Sequence, residues 1–87
     1  MSVSATITHN LHMPVTFEGR EHTSITLRRI KGKDIREIGK QDEGDKALWT
    51  IARLSGWPHA GVDELDAADI DAISTIIESF TEAPTPQ

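Results

Sequence analysis

The sequence predicts an α+β fold, in which an N-terminal β-hairpin packs against about three α-helices in a single small domain. Two observations carry this prediction: apolar and polar residues alternate through residues 7–28, and apolar residues recur at helical spacing from residue 35 to residue 80. A chain of 87 residues suffices for one domain with a thin core. We therefore expect one domain over residues 1–87, ordered from about 5 to 82, with a frayed tail at 83–87.

The predicted hairpin begins with a half-buried strand that Pro14 interrupts. Because proline cannot donate a hydrogen bond to a ladder, Pro14 indicates an edge strand or a bulge. Gly19, within the segment EGRE at 18–21, suits the positive φ of a tight turn, and a second alternating strand follows it. The apolar residues that define the two strands are Ile7, Leu11, Met13, Val15 and Phe17 in the first, and Ile25 and Leu27 in the second.

Two helices are predicted after the hairpin. The segment KDIREIGK, residues 33–40, indicates one short helix that stops at Gly39. A second helix is predicted from about Asp45 to Ser55, because a C-cap glycine followed by a proline is typical of a helix end, and Gly56 and Pro58 fit that pattern. The stretch from Gly56 to the next start signal then reads as a loop.

The last helix has the clearest start signal in the chain. Asp66 can accept hydrogen bonds from the amides of Ala68 and Asp69, and the Asp69 side chain is expected to reach back toward the cap. An apolar stripe at alternating spacings of three and four residues then follows, formed by Ile70, Ile73, Ile77 and Phe80 and broadened by Ile76.

Composition excludes several classes of protein. The chain has no cysteine, which excludes disulfides, thiolate catalysis and cysteine–zinc sites. No apolar run approaches the roughly 18 residues of a membrane helix, and the first residues lack the features of a secretory signal, so we expect no membrane association. The net charge is −5, yet all nine Lys and Arg residues lie within residues 1–53, which makes the chain a charge dipole.

The histidines do not predict a metal site. His9 and His12 are three apart on a strand, where odd spacing sends side chains to opposite faces, although irregularity near Pro14 leaves an exception. For a hydrolase, Ser55 and His59 are the nearest pairing of nucleophile and base, but no glycine-framed serine elbow surrounds Ser55. We therefore predict no catalytic residues, no metal and no cofactor.

A DNA-binding helix-turn-helix is the alternative for the region around residues 45–80. The second of its helices would enter the groove, but it carries Asp69, Asp71 and Glu78 and no cation, which repels phosphate. The basic stretch from Arg28 to Arg36 has no neighbouring aromatic residue for stacking, which is more typical of a solvated face. These features argue against a nucleic-acid partner.

An interaction surface is the remaining functional interpretation. The apolar stripe of the last helix and the two tryptophans together supply more apolar area than one short hairpin is expected to cover. For each of these residues, packing in the core is the alternative interpretation. The candidate partner-binding residues are Trp49, Trp57, Ile73, Ile76, Ile77 and Phe80.

Three segments, in this order, carry a family resemblance: THNLHMPVTFEGREHTSITLRRIKGKDIREI, ALWTIARLSGWP and VDELDAADIDAISTIIESF. Over about residues 7–82 the chain resembles the E-type tail assembly chaperones of Mu-like and related contractile-tailed phages and prophages. The hairpin with its leucine-arginine-arginine ending, the alanine-containing helix that stops at a glycine, and the aspartate-capped last helix each match the family's pattern.

The resemblance implies a non-enzymatic role in the host cytoplasm. Such a protein binds the tape measure protein during tail assembly and is absent from the mature virion. A longer form made by ribosomal frameshifting would be a second partner, with the segment APTPQ near the junction, and self-association is left open. The resemblance carries over no catalytic residue. A small prophage helix-turn-helix regulator is the alternative function.

Overall fold

A computed structural model describes residues 6–80, so the predicted frayed tail at 83–87 lies outside the described residues. The α+β fold is confirmed: within residues 6–80 an antiparallel hairpin is followed by four helices, where about three were predicted. The elements are β1 (Thr6–Phe17), β2 (Arg20–Arg28), α1 (Gly32–Ile38), α2 (Lys46–Ser55), α3 (His59–Val62) and α4 (Ala67–Ser79). Within residues 6–80, no helix is long and apolar enough to cross a membrane.

The hairpin turns at Glu18 and Gly19, which both have positive φ, 52° and 76° respectively. This confirms the predicted turn. Positive φ at both central residues is typical of two-residue hairpin turns, because the twist of such a turn matches the twist of the two strands that it joins. The pairing register shifts between Asn10 and Val15, so the predicted irregularity at Pro14 is a β-bulge.

The predicted alternation along β1 holds at Leu11, Val15 and Phe17 but fails at Ile7 and Met13. Val15 is buried and Leu11 is partly buried, but Met13 is 56% exposed and Ile7 is 38% exposed. Met13 lies inside the irregular segment between Asn10 and Val15, where the ladder with β2 is interrupted.

The predicted end of α2 is confirmed in detail. Gly56 has a φ of 78°, and its N–H donates to the Ala52 carbonyl at 2.9 Å, which is the left-handed glycine cap. At the other end, Asp45 occupies the cap position, but its side chain makes no capping hydrogen bond.

The loop predicted after α2 contains a helical turn, α3, that the sequence pattern does not indicate. Pro58 has extended backbone angles and precedes α3, which brings Gly61 against the Phe17 ring. A Cβ atom at Gly61 would lie 2.8 Å from Phe17 Cδ1, so the close approach requires glycine. α3 therefore packs directly on the turn end of β1.

One hydrophobic core joins the hairpin to the helices. Its fully enclosed members include Leu27 of β2, Ile51 of α2, Val62 of α3 and Ile73 of α4, each at 0% exposure. Among residues 6–80, the buried apolar side chains are those of Val15, Ile25, Leu27, Ile51, Ala52, Leu54, Val62, Leu65, Ile73 and Phe80.

A buried carboxylate ties the end of the hairpin to α1 and α2. Asp34 accepts two hydrogen bonds from Arg28, at 2.8 and 2.9 Å, and one from Arg53 Nε at 2.5 Å. Asp34 also accepts the backbone N–H of Lys31 at 2.8 Å, which caps the start of α1. The pKa of Asp34 lies far below its usual range, chiefly because of the hydrogen bonds from Arg28. Burial alone would raise this pKa, but the hydrogen bonds from Arg53 and from the Lys31 amide lower it further.

Candidate functional site

The structure separates the six candidate partner-binding residues into core and surface positions. Ile73 is 0% exposed and Phe80 is 5% exposed, so their side chains belong to the core. Phe80 is further enclosed by Arg29, whose guanidinium lies 5.6 Å from the ring centroid and donates to the Phe80 carbonyl at 3.1 Å. Trp49, Trp57, Ile76 and Ile77 are partly buried and remain on the candidate surface.

Trp57 packs in an aromatic cluster with two hairpin residues. The rings of Phe17 and His22 stack with centroids 3.9 Å apart, and the Trp57 ring lies 4.7 Å from Phe17 and 5.2 Å from His22. The backbone N–H of Trp57 donates to Ser55 Oγ at 3.1 Å, which fixes the loop after α2. Trp57 therefore orients α2 and α3 against the turn end of the hairpin, and packing accounts for its position.

Trp49 lies beside a surface hollow of about 360 Å³, here called the Trp49 hollow. Arg53 covers part of the ring, with its guanidinium carbon 5.4 Å from the centroid. His59 lines the same hollow. Of the described residues, those that line the hollow are Gln41, Asp45, Leu48, Trp49, His59 and Asp63.

Ile77 lies at a second hollow, between α2 and α4, of about 210 Å³ and here called the Ile77 hollow. Ala47 and Ile77 supply its apolar surface, and Thr50 and Ser74 supply small polar side chains. Lys46 and Glu78 complete the lining and place charges of opposite sign around it. Because Trp49 and Ile77 line different hollows, the candidate residues do not form one continuous groove.

A cluster of His9, His12 and Asp69 connects the bulge of β1 to the first turn of α4. Asp69 Oδ1 accepts the backbone N–H of His12 at 2.8 Å and lies 3.0 Å from His9 Nε2. Asp69 Oδ2 accepts the backbone N–H of Met13 at 3.2 Å. The carboxylate therefore supplies acceptors for two amides that the bulge releases from the ladder.

Two expectations about these residues are wrong. The prediction that His9 and His12 face opposite sides fails because the bulge breaks the alternation, and their ring centroids are 5.8 Å apart. The Asp69 side chain binds β1 instead of reaching back to the cap of its own helix. The Asp66 side chain accepts the Ala68 N–H at 3.0 Å, as predicted, whereas the Asp69 N–H donates to the Asp66 backbone carbonyl instead, also at 3.0 Å.

Asp69 is charged despite its complete burial. Burial alone raises the pKa of Asp69, but the hydrogen bonds from the His12 amide, the His9 ring and the Met13 amide together hold it below the ordinary value. The sequence contained one signal for this cluster: Pro14 indicates a bulge, and a bulge cancels the argument that separates His9 from His12.

The helices do not have the arrangement of a DNA-reading helix-turn-helix. α3 lies between α2 and α4, so the two long helices are not joined by a simple turn. α4 carries acidic side chains at Asp69, Asp71 and Glu78, and Asp69 faces the hairpin. Arg28 of the basic stretch is paired with Asp34, and Arg29 binds Phe80, which leaves less of that stretch for phosphate.

The fold and its surface define a small α+β domain in which a bulged hairpin is clamped onto four helices. The family model for "Phage tail assembly chaperone proteins, E, or 41 or 14" matches residues 8–82, nearly the whole chain. The chain therefore belongs to the phage tail assembly chaperone family. No curated protein and no solved structure gives a significant match.

Proposed function

We propose that this protein is an E-type tail assembly chaperone that binds the tape measure protein and keeps it soluble during tail assembly, without catalysis. Family membership supports the general role. The structural observation that carries the proposal is the pair of partly apolar hollows that involve α2, one at Trp49 and one at Ile77. Tape measure proteins are long and helical, and apolar surface hollows suit the side chains of an amphipathic helix.

The Ile77 hollow suits an apolar side chain better than a small-molecule ligand. Its volume of about 210 Å³ is below the roughly 300–1,000 Å³ that is usual for ligand pockets. Ala47 and Ile77 would contact an inserted side chain, while Thr50 and Ser74 can accommodate the polar edge of a partner helix. Binding there leaves the core intact, because Ile77 is only partly buried whereas Ile73 is fully enclosed.

Charge favours a partner segment that carries cations beside its apolar residues. From residue 54 to residue 80 the chain has six acidic residues and no Lys or Arg. Asp63 lines the Trp49 hollow and Glu78 lines the Ile77 hollow, so both hollows have a carboxylate from this acidic part. Complementary charge steers association and suppresses wrong partners, including polyanions such as nucleic acids.

The proposal extends to the protein's setting. The chaperone acts in the host cytoplasm, leaves before the virion is complete, and has a frameshifted longer form of itself as a second partner. Self-association belongs to the same proposal, with the hollows as contact sites. The single domain proposed for residues 1–87 includes segments on either side of the described residues.

Co-expression with the tape measure protein tests the proposal. We expect the soluble fraction of the tape measure protein to rise with the wild-type chain and to fall back with Trp49→Ala or Ile77→Ala. Thr75→Ala is the matched control, because Thr75 is exposed on the same helix as Ile77 and does not line either hollow. His59→Ala is not a neutral control, since His59 lines the Trp49 hollow.

Two results would contradict the proposal. One is an unchanged soluble fraction of the tape measure protein in the presence of the wild-type chain. The other is tight, salt-sensitive binding to phage DNA in a mobility-shift assay, which would support the regulator instead. Circular dichroism of each variant must match the wild type, so that loss of binding is not loss of fold.

A further inference from the structure

Three side chains at the bulge of β1 offer metal-ligand atoms within a short distance of one another. One ring nitrogen each of His9 and His12 and one carboxylate oxygen of Asp69 all lie within 4.8 Å of each other. The three residues come from two elements, since His9 and His12 lie on β1 and Asp69 lies in the first turn of α4. Asp69 is fully buried, His9 is partly buried, and His12 is exposed.

The surroundings orient two of these ligands. The backbone amides of His12 and Met13 hold the Asp69 carboxylate in place, as outer hydrogen bonds do around the carboxylate ligands of metal sites. His9 Nε2 lies 3.0 Å from Asp69 Oδ1, which is close to the roughly 3.3 Å that separates two ligand atoms on one tetrahedral zinc ion. One point beside this pair of atoms is therefore within ligand distance of both. The exposed His12 side chain has the freedom to approach that point.

The donor set selects a class of ion. Two imidazoles and one carboxylate suit Zn²⁺ and neighbouring divalent transition ions, whereas Mg²⁺ and Ca²⁺ prefer oxygen ligands throughout. Because the chain has no cysteine, imidazole and carboxylate are the strongest ligands it can offer such an ion.

We propose that His9, His12 and Asp69 bind one divalent transition-metal ion of the zinc class, with solvent completing its coordination. Ligand bonds of about 2.0–2.2 Å around a tetrahedral ion place the ligand atoms roughly 3.3–3.6 Å apart. The three atoms, now separated by up to 4.8 Å, have to close to that spacing, while His9 Nε2 and Asp69 Oδ1 move slightly apart from their 3.0 Å contact. His9 binds as the neutral imidazole with its proton on Nδ1, and the ion replaces the hydrogen bond between Nε2 and Asp69. The bound ion links the bulge of β1 to α4, so it stabilises the packing of the hairpin on the last helix.

Metal titration of the full chain, with any affinity tag removed and bound metal stripped by a chelator, tests this site. We expect calorimetry with Zn²⁺ to give one ion per chain and Co²⁺ to give the absorption bands of a nitrogen-ligated ion. At free Zn²⁺ about 100 times the Kd, linkage predicts a rise in Tm of about 10 °C or more for a domain of this size. Mg²⁺ at the same concentration is expected to leave the Tm unchanged.

His12→Ala is the decisive variant. The His12 backbone amide, rather than its ring, donates to Asp69, so removing the exposed ring preserves the clamp on the bulge. We expect Zn²⁺ affinity to fall about tenfold or more in His12→Ala. His59→Ala is the matched control, because it also removes an exposed histidine and is expected to bind Zn²⁺ like the wild type.

Three outcomes would overturn the proposal: no saturable Zn²⁺ binding below about 1 mM, equal affinity in His12→Ala and wild type, or equal loss in His59→Ala. Each would leave Asp69 as a structural clamp alone. The site is independent of tape measure binding, so its failure would not affect the proposed chaperone function.

Discussion

Replacing Asp34 by asparagine tests the buried ion-pair network with almost no change in volume. The side chain is fully buried and accepts hydrogen bonds from Arg28, Arg53 and the Lys31 amide. The asparagine side chain keeps one acceptor oxygen, but its NH₂ group replaces the other oxygen and opposes a guanidinium donor. The substitution therefore removes the negative charge and leaves an N–H donor of the asparagine against N–H donors of the surrounding residues.

The expected cost of Asp34→Asn is about 2–3 kcal/mol of unfolding free energy. Breaking a buried ion pair commonly costs about 3–5 kcal/mol. The value here is lower because the Arg28 and Arg53 side chains are 35% and 31% exposed, so water partly solvates them after the pairing is lost. For a chain with a total stability of about 4–13 kcal/mol, this loss should lower Tm by about 10–20 °C.

Urea denaturation followed by circular dichroism measures this cost, with Glu37→Gln as the matched control. Glu37 also lies on α1 and pairs with Lys40 at 3.1 Å, but that pair is exposed. The same carboxylate-to-amide change there should cost no more than about 0.5 kcal/mol. If Asp34→Asn and Glu37→Gln destabilise equally, the reasoning from burial is refuted.

The same variant predicts a change in acid sensitivity. The pKa of Asp34 is lower in the folded protein than in the unfolded chain, so its contribution is complete above the unfolded pKa of about 3.9. That contribution is lost as pH falls from about 5 through the folded pKa. We expect wild-type stability to fall steeply below pH 5 and Asp34→Asn to show a shallower decline, with the remainder from groups such as Asp69. If the stability of wild type and of Asp34→Asn fell in parallel below pH 5, the acid sensitivity would not come from Asp34.

Further predictions concern packing and capping, and each is checked by the urea midpoint. Gly61→Ala should cost about 1–3 kcal/mol because its Cβ would overlap the Phe17 ring, whereas Gly44→Ala, with nothing within 4 Å, should be close to neutral. Asp66→Ala should cost about 1 kcal/mol through loss of the cap on α4. Ile73→Ala should cost about 2–5 kcal/mol, and a smaller cost would place Ile73 outside the core.

Features governed by local chemistry could be predicted from the sequence. Gly19 and Gly56 have the positive φ that their positions required, and Asp66 caps α4 through its side chain. The order of hairpin and helices follows from the same short-range patterns. α3 was missed because four residues are too few to display a helical period.

Features that depend on distant partners could not be predicted. Asp34 and Asp69 each lie in the first turn of a helix, yet each is buried against a residue of another element. Of the candidate surface residues, Ile73 and Phe80 lie in the core. A stripe of apolar residues in the sequence does not show how much of its width other elements of the same fold cover. Trp49 and Ile77 kept surface positions at separate hollows.

The clamp between Asp69 and β1 also has a consequence for the order of folding. The amides of His12 and Met13 are synthesised early, but their acceptor follows 57 and 56 residues later. Until Asp69 leaves the ribosome, the bulge has to satisfy these amides with water, and closing so long a loop costs entropy before the contact forms. The hairpin therefore reaches its final shape only after Asp69 has been synthesised and α4 docks on β1.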